Sequence, residues 1–365
     1  MSNSTNILGI GTARPAFSYD QEQLSGVYQQ ALLKSGADTS TLRRVRSVFR
    51  LSRVASRSFV LPDFSASDRA ELYVDGVFPS TGERMQAFAR HAPVLAEEAC
   101  RKAIEMSGVP PERISHLVIA TCTGVGAPDL DVEIAMRIGL PSSIERTMIV
   151  WMSCTGAFPA LRVARRAVSE TPGSVALVVC VELCSLHVRP DPDPGSLLAH
   201  ALFADGAGAL VVASGYGMGD SIASLGTGAS QLIPEGRDLI RWEFGDAGFR
   251  AHLDFELPEL LACTIKPFVE RLGCDAPQSM TSWCVHPGGV AILDTVQRAL
   301  ELADDRIKSS HQILRALGNM SSSTIVYVLE KELRRMDAGE SGVMLGFGTG
   351  VTVEGLRFER GRVAI

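Results

Sequence analysis

The apolar positions of this chain fall into short, nearly continuous runs: "HLVIATCTG", "TMIVWMSC", "SVALVVCVE", "GALVVAS", "SWCVHPGG", "GVMLGFG" and "VTVEGLRFE". Glycine or polar residues bound each run, and strict alternation is absent, as in strands covered on both faces. Between them, "MQAFARHAPVLAEEACRKAIEMSG", "ELPELLACTIKPFVERLG" and "STIVYVLEKELRRM" repeat their apolar residues at helical spacing. A fourth helix is predicted after Cys154. There Arg162, Arg165 and Arg166 form one narrow polar stripe among Phe158, Leu161, Val163, Ala164 and Val168. Thr147 to Met152, just before Cys154, reads as a buried strand. Strands alternating with helices predict an α/β fold with largely parallel sheets. A glycine and serine cluster at 213–224 marks a soft division, giving two halves, 1–218 and 219–365. The proline-rich stretch 188–196, "VRPDPDPGS", reads as a rigid surface excursion.

Composition narrows the function. The 365 residues are 46% hydrophobic, with 35 basic against 41 acidic side chains and a net charge of −6. Without a basic excess, nucleic acid is not an expected partner. The apolar runs are far shorter than the roughly 20 residues that cross a bilayer, so no membrane association is expected. The N-terminal "MSNSTNILGIGTARP" lacks the basic start and apolar core of a secretory signal, which makes a cytoplasmic protein the expectation. In that setting the eight scattered cysteines read as reduced, small hydrophobes. "CVELC" has no second pair at metal-site spacing, so no metal is expected.

Three stretches place a polar residue where an apolar run meets glycine or a helix: "MSCTGAF" with Cys154, "WCVHPGGVAILD" with His286, and "LGNMSSST" with Asn319. Each has a plain structural explanation. Cys154 can be a core thiol, His286 a hydrogen-bonded core histidine, and Asn319 a cap for a helix starting near Ser321. Taken together they also form a set suited to nucleophilic catalysis.

These stretches resemble the type III polyketide synthases, the chalcone-synthase-like members of the thiolase superfamily. The likeness runs from "GIGTARP" through "TCTGVGAPDLD", "ALFADGAGALVV" and "HPGGVAILD" to "GNMSS" and "GFGTGVTVE", in matching order and spacing. The sequence departs from the family's pattern at Thr349, where a proline is usual, and around the cysteine. The resemblance implies a thiolase-like fold of two similar α/β halves in an α-β-α-β-α arrangement, with Cys154 in the first half and His286 and Asn319 in the second.

The resemblance also implies a Cys–His–Asn catalytic set. An unperturbed thiol titrates near ~8.5, and a helix N-terminus with an adjacent imidazolium lowers that value. A Cys154 thiolate would accept an acyl group from a coenzyme A thioester. His286 and the Asn319 amide would then donate to the oxygen that gains charge as a malonyl thioester loses carbon dioxide. No metal or redox cofactor enters this chemistry; coenzyme A thioesters are substrates. Phe203 matches a gating phenylalanine between cavity and tunnel. Gly288 and Gly289 would let backbone approach the ligand, and Ala291 matches a pantetheine contact. Arg44 and Arg50, in the basic run "LRRVRSVFRLSRVASR", are the coenzyme A phosphate candidates. Cys122, His187, Trp242, Ala251 and Gly350 fall at substrate-cavity positions, with Trp242 in place of a glycine and Ala251 in place of a second phenylalanine.

The implied activity is iterative decarboxylative condensation of malonyl-CoA onto an acyl-CoA starter, closing to a small pyrone or phenol. The implied partners are those thioesters and a second copy of the chain, contacted through the Ala127 loop, with an acyl carrier protein as a further candidate. Three other readings stay open: a single-round 3-oxoacyl-(acyl carrier protein) synthase of the initiating type, a non-catalytic thiolase-fold subunit, and a cysteine protease or hydrolase.

Overall fold

A computed structural model describes residues 5–65, 70–73, 78–171, 173–215 and 218–365. The first four residues, and residues 216 and 217 within the expected division, lie outside the described residues.

The N-terminal half opens with β1 (Thr5–Ala13), the short β2 (Phe17–Asp20), α1 (Gln21–Lys34), α2 (Thr39–Leu51) and β3 (Ser56–Phe59). It continues through α3 (Thr81–Ser107), β4 (His116–Thr121), α4 (Leu130–Ile138), β5 (Glu145–Val150), α5 (Ala157–Glu170) and β6 (Val175–Leu183), then α6 (Pro194–Leu202) and β7 (Asp205–Ser214). Beyond the division come β8 (Ala223–Leu232), the hairpin β9 (Ile240–Gly245) and β10 (Gly248–Leu253), and α7 (Leu257–Arg271). The chain ends with β11 (Ser282–Val285), α8 (Val290–Ala299), α9 (Lys308–Leu317), α10 (Thr324–Leu333), β12 (Ser341–Gly348) and β13 (Thr352–Arg360).

Nine strands hydrogen-bond in the order β11-β12-β13-β8-β1-β7-β6-β4-β5. The two halves of the chain thus supply the two ends of one sheet, joined by only three paired positions of β1 and β8. Side-chain alternation separates three cores. On β7, Leu210 and Val212 enter a central core with Phe158 and Leu161 of α5 and Ile325 and Leu329 of α10. Ala207, Ala209 and Val211 face the opposite way, toward α3 and α4. At the far end Val343 and Leu345 of β12 meet α7 and α8 in a third core. Helices therefore cover both outer faces, and α5 and α10 lie between the sheet ends, in the α/β layering the resemblance implied.

Three expectations change. The sheet is mixed: β4–β5, β4–β6 and β11–β12 are parallel, while the five remaining pairs are antiparallel. The strand before Cys154 is not buried; as the last strand of the sheet, β5 has Glu145, Arg146, Thr147 and Val150 exposed. An apolar run on a sheet edge reads from sequence just like one at its centre. Nor is 188–196 a free excursion. Asp191 is buried and accepts a 2.6 Å hydrogen bond from Arg250 Nε of β10.

Candidate active site

Cys154 lies in a single tight turn, Ser153–Thr155, that feeds directly into α5. Two non-glycine residues before it take left-handed backbone angles, Trp151 at φ 61° and Ser153 at φ 50°. Such angles cost on the order of 1 kcal/mol or more each, and they cluster where a fold holds a side chain in place. β12 closes over this turn. A Cβ on Gly348 would lie 2.6 Å from Thr155 Oγ1, and one on Gly346 would lie 2.4 Å from the Phe158 ring. The glycines of "GFGTG" thus let the last strands press against the nucleophile turn.

Asn319 approaches from the other half of the chain. Its backbone N–H donates to Leu202 O and its carbonyl accepts from Ala204 N–H, both at 2.8 Å, so it is bridged on each side of Phe203. It is not the helix cap considered from sequence, a place Met320 takes, but its Oδ1 accepts from Ser321 N–H at 2.9 Å. That bond fixes the amide's orientation and turns Nδ2 toward Cys154 Sγ at 3.8 Å.

His286 follows β11, its backbone N–H donating to Leu345 O at 2.8 Å. Its ring is fully buried, and neither ring nitrogen has a hydrogen-bond partner among the described residues. Cys154 and Asn319 line a cavity of about 360 Å³ whose wall includes Gly288, Gly289 and Ala291, the residues just beyond His286. The structure thus brings five of the expected site residues to one cavity; His286 is not in its lining and precedes the lining residues Gly288 and Gly289 in the chain.

The resting charges differ from the expectation of an imidazolium holding Cys154 ionised. Burial pushes the Cys154 thiol up to about 11, against hydrogen bonds from Asn319, Ser153 and Ser321 that favour the thiolate. Burial likewise pushes His286 down to about 3. At neutral pH the pair is thiol plus neutral imidazole, and neither nitrogen of His286 is bonded to the sulfur.

On the other side of Cys154, Phe203 joins it, Cys184 and Ala199 in a small apolar cluster against Trp242 and Ala251. Trp242 Nε1–H reaches Ser153 Oγ at 3.4 Å, and its ring lies 5.8 Å from that of Phe203. His187 is a buttress. It stacks on Phe249 at 4.3 Å, its Nδ1 accepts from Phe249 N–H at 3.1 Å, and its Nε2 donates to Thr123 O at 2.8 Å. Cys122 is buried behind Asn319, within 3.3 Å of Ser321 Oγ.

Three residues lie apart from the cavity's lining. Arg44 and Arg50 are exposed on α2 and are not among the cavity's lining; Arg53, one turn beyond, is the arginine that lines it. Gly350 turns the chain between β12 and β13 at φ 112°, facing Leu232, and Phe347 is the residue of that segment in the cavity wall. Arg57, grouped by sequence with the basic run, is buried on β3.

Sequence reasoning missed Glu182. This fully buried carboxylate of β6 accepts from Ser322 Oγ at 2.6 Å, and from Thr123 Oγ1 and Cys122 N–H at 2.9 Å each. Burial raises its pKa while these donors lower it. It ties the loop after β4 to the turn after Asn319. A single acidic residue inside an otherwise apolar strand was the available signal.

Among the described residues no helix is long and apolar enough to cross a membrane. Residues 2–216 match the family described as chalcone and stilbene synthases, N-terminal domain, and residues 224–360 match its C-terminal domain. A 1,3,6,8-tetrahydroxynaphthalene synthase of Streptomyces peucetius subsp. caesius is 32% identical, covering 97% of this chain and 93% of that protein. The crystal structure of PKS-I from the brown alga Ectocarpus siliculosus superposes with a TM-score of 0.92 at 28% identity, covering 99% of each chain. A type III pentaketide synthase from Neurospora crassa shares the fold, with a TM-score of 0.87 at 24% identity over 98% of this chain and 99% of that one. A paired cysteine and carboxamide, set where two α/β halves meet and matched over both halves, makes this chain a member of the chalcone and stilbene synthase family, the type III polyketide synthases.

Proposed function

We propose that the protein condenses malonyl-CoA iteratively onto an acyl-CoA starter held on Cys154, and releases a cyclised pyrone or phenol. The observation behind this reading is the contact of Asn319 Nδ2 with Cys154 Sγ at the wall of a cavity edged by Gly288, Gly289 and Ala291. His286 takes the thiol proton as sulfur attacks the starter's carbonyl, and returns it to the departing coenzyme A thiolate. The exchange buries no net charge, which suits a pair held neutral by its surroundings. A malonyl thioester then loses carbon dioxide. The electron pair released becomes an enolate whose oxygen accepts from the Asn319 amide and from His286. The enolate carbon attacks the acyl carbonyl, Cys154 leaves as thiolate, and the chain is two carbons longer. Both steps run on coenzyme A thioesters without a further cofactor, and an acyl carrier protein is an alternative thioester donor at the same mouth, beside Arg53.

A homodimer completes the reading. Residues 125–128, Met136 of α4 and Val150 of the edge strand β5 are exposed, and an uncovered sheet edge invites pairing. Light scattering at micromolar protein should give twice the chain mass.

The test of activity is product mass after incubation with malonyl-CoA and a panel of starters. Products two or more malonyl units longer than the starter support the iterative reading. One extension under every condition would instead support a single-round synthase.

A further inference from the structure

A second chamber lies behind the catalytic wall. It encloses about 690 Å³, against about 360 Å³ for the cavity at Cys154, and the two share no lining residue. Its walls are aromatic: Tyr28, Phe49, Phe59, Phe64, Tyr73 and Phe78 all line it. Most polar groups at these walls are already engaged. Tyr28 Oη donates to Asp191 O, Tyr73 Oη donates to Ser185 O, and the Asp63 carboxylate accepts from the N–H groups of Glu71, Leu72 and Tyr73.

Arg57 and His200 keep polar atoms unpaired among the described residues. Arg57 donates through Nε to Gln21 Oε1 and through Nη1 to the carbonyls of His200 and Phe203, which leaves Nη2 without a partner among the described residues. Its guanidinium carbon stands 5.6 Å from the Phe49 ring centre and 5.5 Å from that of Phe59. The His200 ring stacks on Tyr28 at 5.0 Å, and its nitrogens likewise make no hydrogen bond among the described residues. Both residues, with Val188, also line a cleft of about 20 Å³ with Cys184, Phe203 and Trp242. Cys184 and Phe203 pack directly on Cys154. Arg57 and His200 therefore stand at the neck between the aromatic chamber and the catalytic wall.

The neck selects the ligand chemistry. A bare alkyl chain lying across it would leave a buried guanidinium donor without an acceptor, which is unfavourable. A ligand with oxygens along a planar skeleton gives that donor a partner and offers π faces to the rings around it. We propose that this chamber binds a planar, polyoxygenated enol or phenol, its oxygens held by Arg57 and His200 and its skeleton stacked between the aromatic walls. The inference rests on the reading above, since repeated malonyl condensation yields that chemical class. Product or intermediate can then occupy space outside the condensation cavity.

Calorimetric titration with 1,3-dihydroxynaphthalene, and with 1-decanol as the alkyl control, tests this directly. The diol should bind the unaltered protein and Cys154→Ala alike, and decanol should not bind. Ala31→Trp, which fills the chamber from α1, should weaken the diol about tenfold or more, and His200→Phe about fivefold, as expected for loss of one hydrogen bond. Val27→Trp, on the exposed rim of the same wall, replaces Ala31→Trp if that variant does not fold. Absence of diol binding, equal binding of decanol, or a diol affinity untouched by Ala31→Trp but lost in Ala291→Trp of the catalytic cavity would each overturn the proposal. If the binding pattern holds while no polyketide forms with any starter, the proposed function fails and the chamber stands.

Discussion

The two walls around Cys154 are built by different means. One is backbone: the strained turn before α5, the bridged segment at Asn319 and the close-packed glycines of β12, all rooted in the large sheet. The other is a separate two-stranded hairpin, β9–β10, held mainly by side chains. Its anchors are Trp242 on Phe203, Phe249 on His187, and Arg250 on Asp191 at 2.6 Å. The difference teaches a division of labour. Groups that touch reacting atoms sit where sub-ångström placement follows from the fold, and groups that shape the chain's space sit where substitution can move them at little cost to the fold.

Variants on the rigid wall should be the most damaging. Cys154→Ala should lower condensation by at least about 10³-fold, because no other group can carry the acyl chain. Malonyl-CoA decarboxylation, followed as released carbon dioxide, should remain measurable in that variant. Loss of both activities from a folded protein would contradict the separation of nucleophile from oxyanion donors. Asn319→Ala removes a donor and should slow decarboxylation by about 10²–10³-fold.

Gly346→Ala probes the same wall through stability. Its methyl would lie 2.4 Å from the Phe158 ring, and overpacking of that kind costs about 1–3 kcal/mol. A lowered Tm and condensing activity should follow together. Trp242→Phe, on the hairpin, keeps a ring against Phe203 and should do the reverse: little change in Tm, kcat within about a few fold, and a shift toward longer products. A collapse in Tm there would erase the contrast between the walls.

The smallest effect is expected from pH. Burial holds His286 near 3 and Cys154 near 11. The reactive pair, which shares one proton between them, is lost only as pH falls through the lower value or rises through the upper. Single-turnover acylation of the enzyme should therefore show no inflection between about pH 5 and 9. A titration centred near 6.5 would mean that His286 is solvated and does not work as part of a buried pair.

These contrasts track what was legible in the sequence. Cys154, His286 and Asn319 stood out because each interrupts an apolar run beside glycine or a helix, and sheet-rooted elements give such runs. The exposure of β5 was not legible, since the pattern of one strand does not say whether another follows it in the sheet. Arg44 and Arg50 follow from the resemblance and the basic run, which show charge but not that the chain beyond the end of α2 brings Arg53 to the cavity. Arg57 was hidden in that same run, and only the fold separates it onto β3. Glu182 could have been found: a lone carboxylate in "VVCVELC" must be buried, and a buried carboxylate needs donors nearby.

The most direct test is peptide mass mapping after incubation with an acyl-CoA starter and no malonyl-CoA. The account predicts one acyl group per chain, on the peptide containing Cys154, and none in Cys154→Ala. An acyl group found instead on any of the other seven cysteines, or no acylation at all of folded protein, would contradict it.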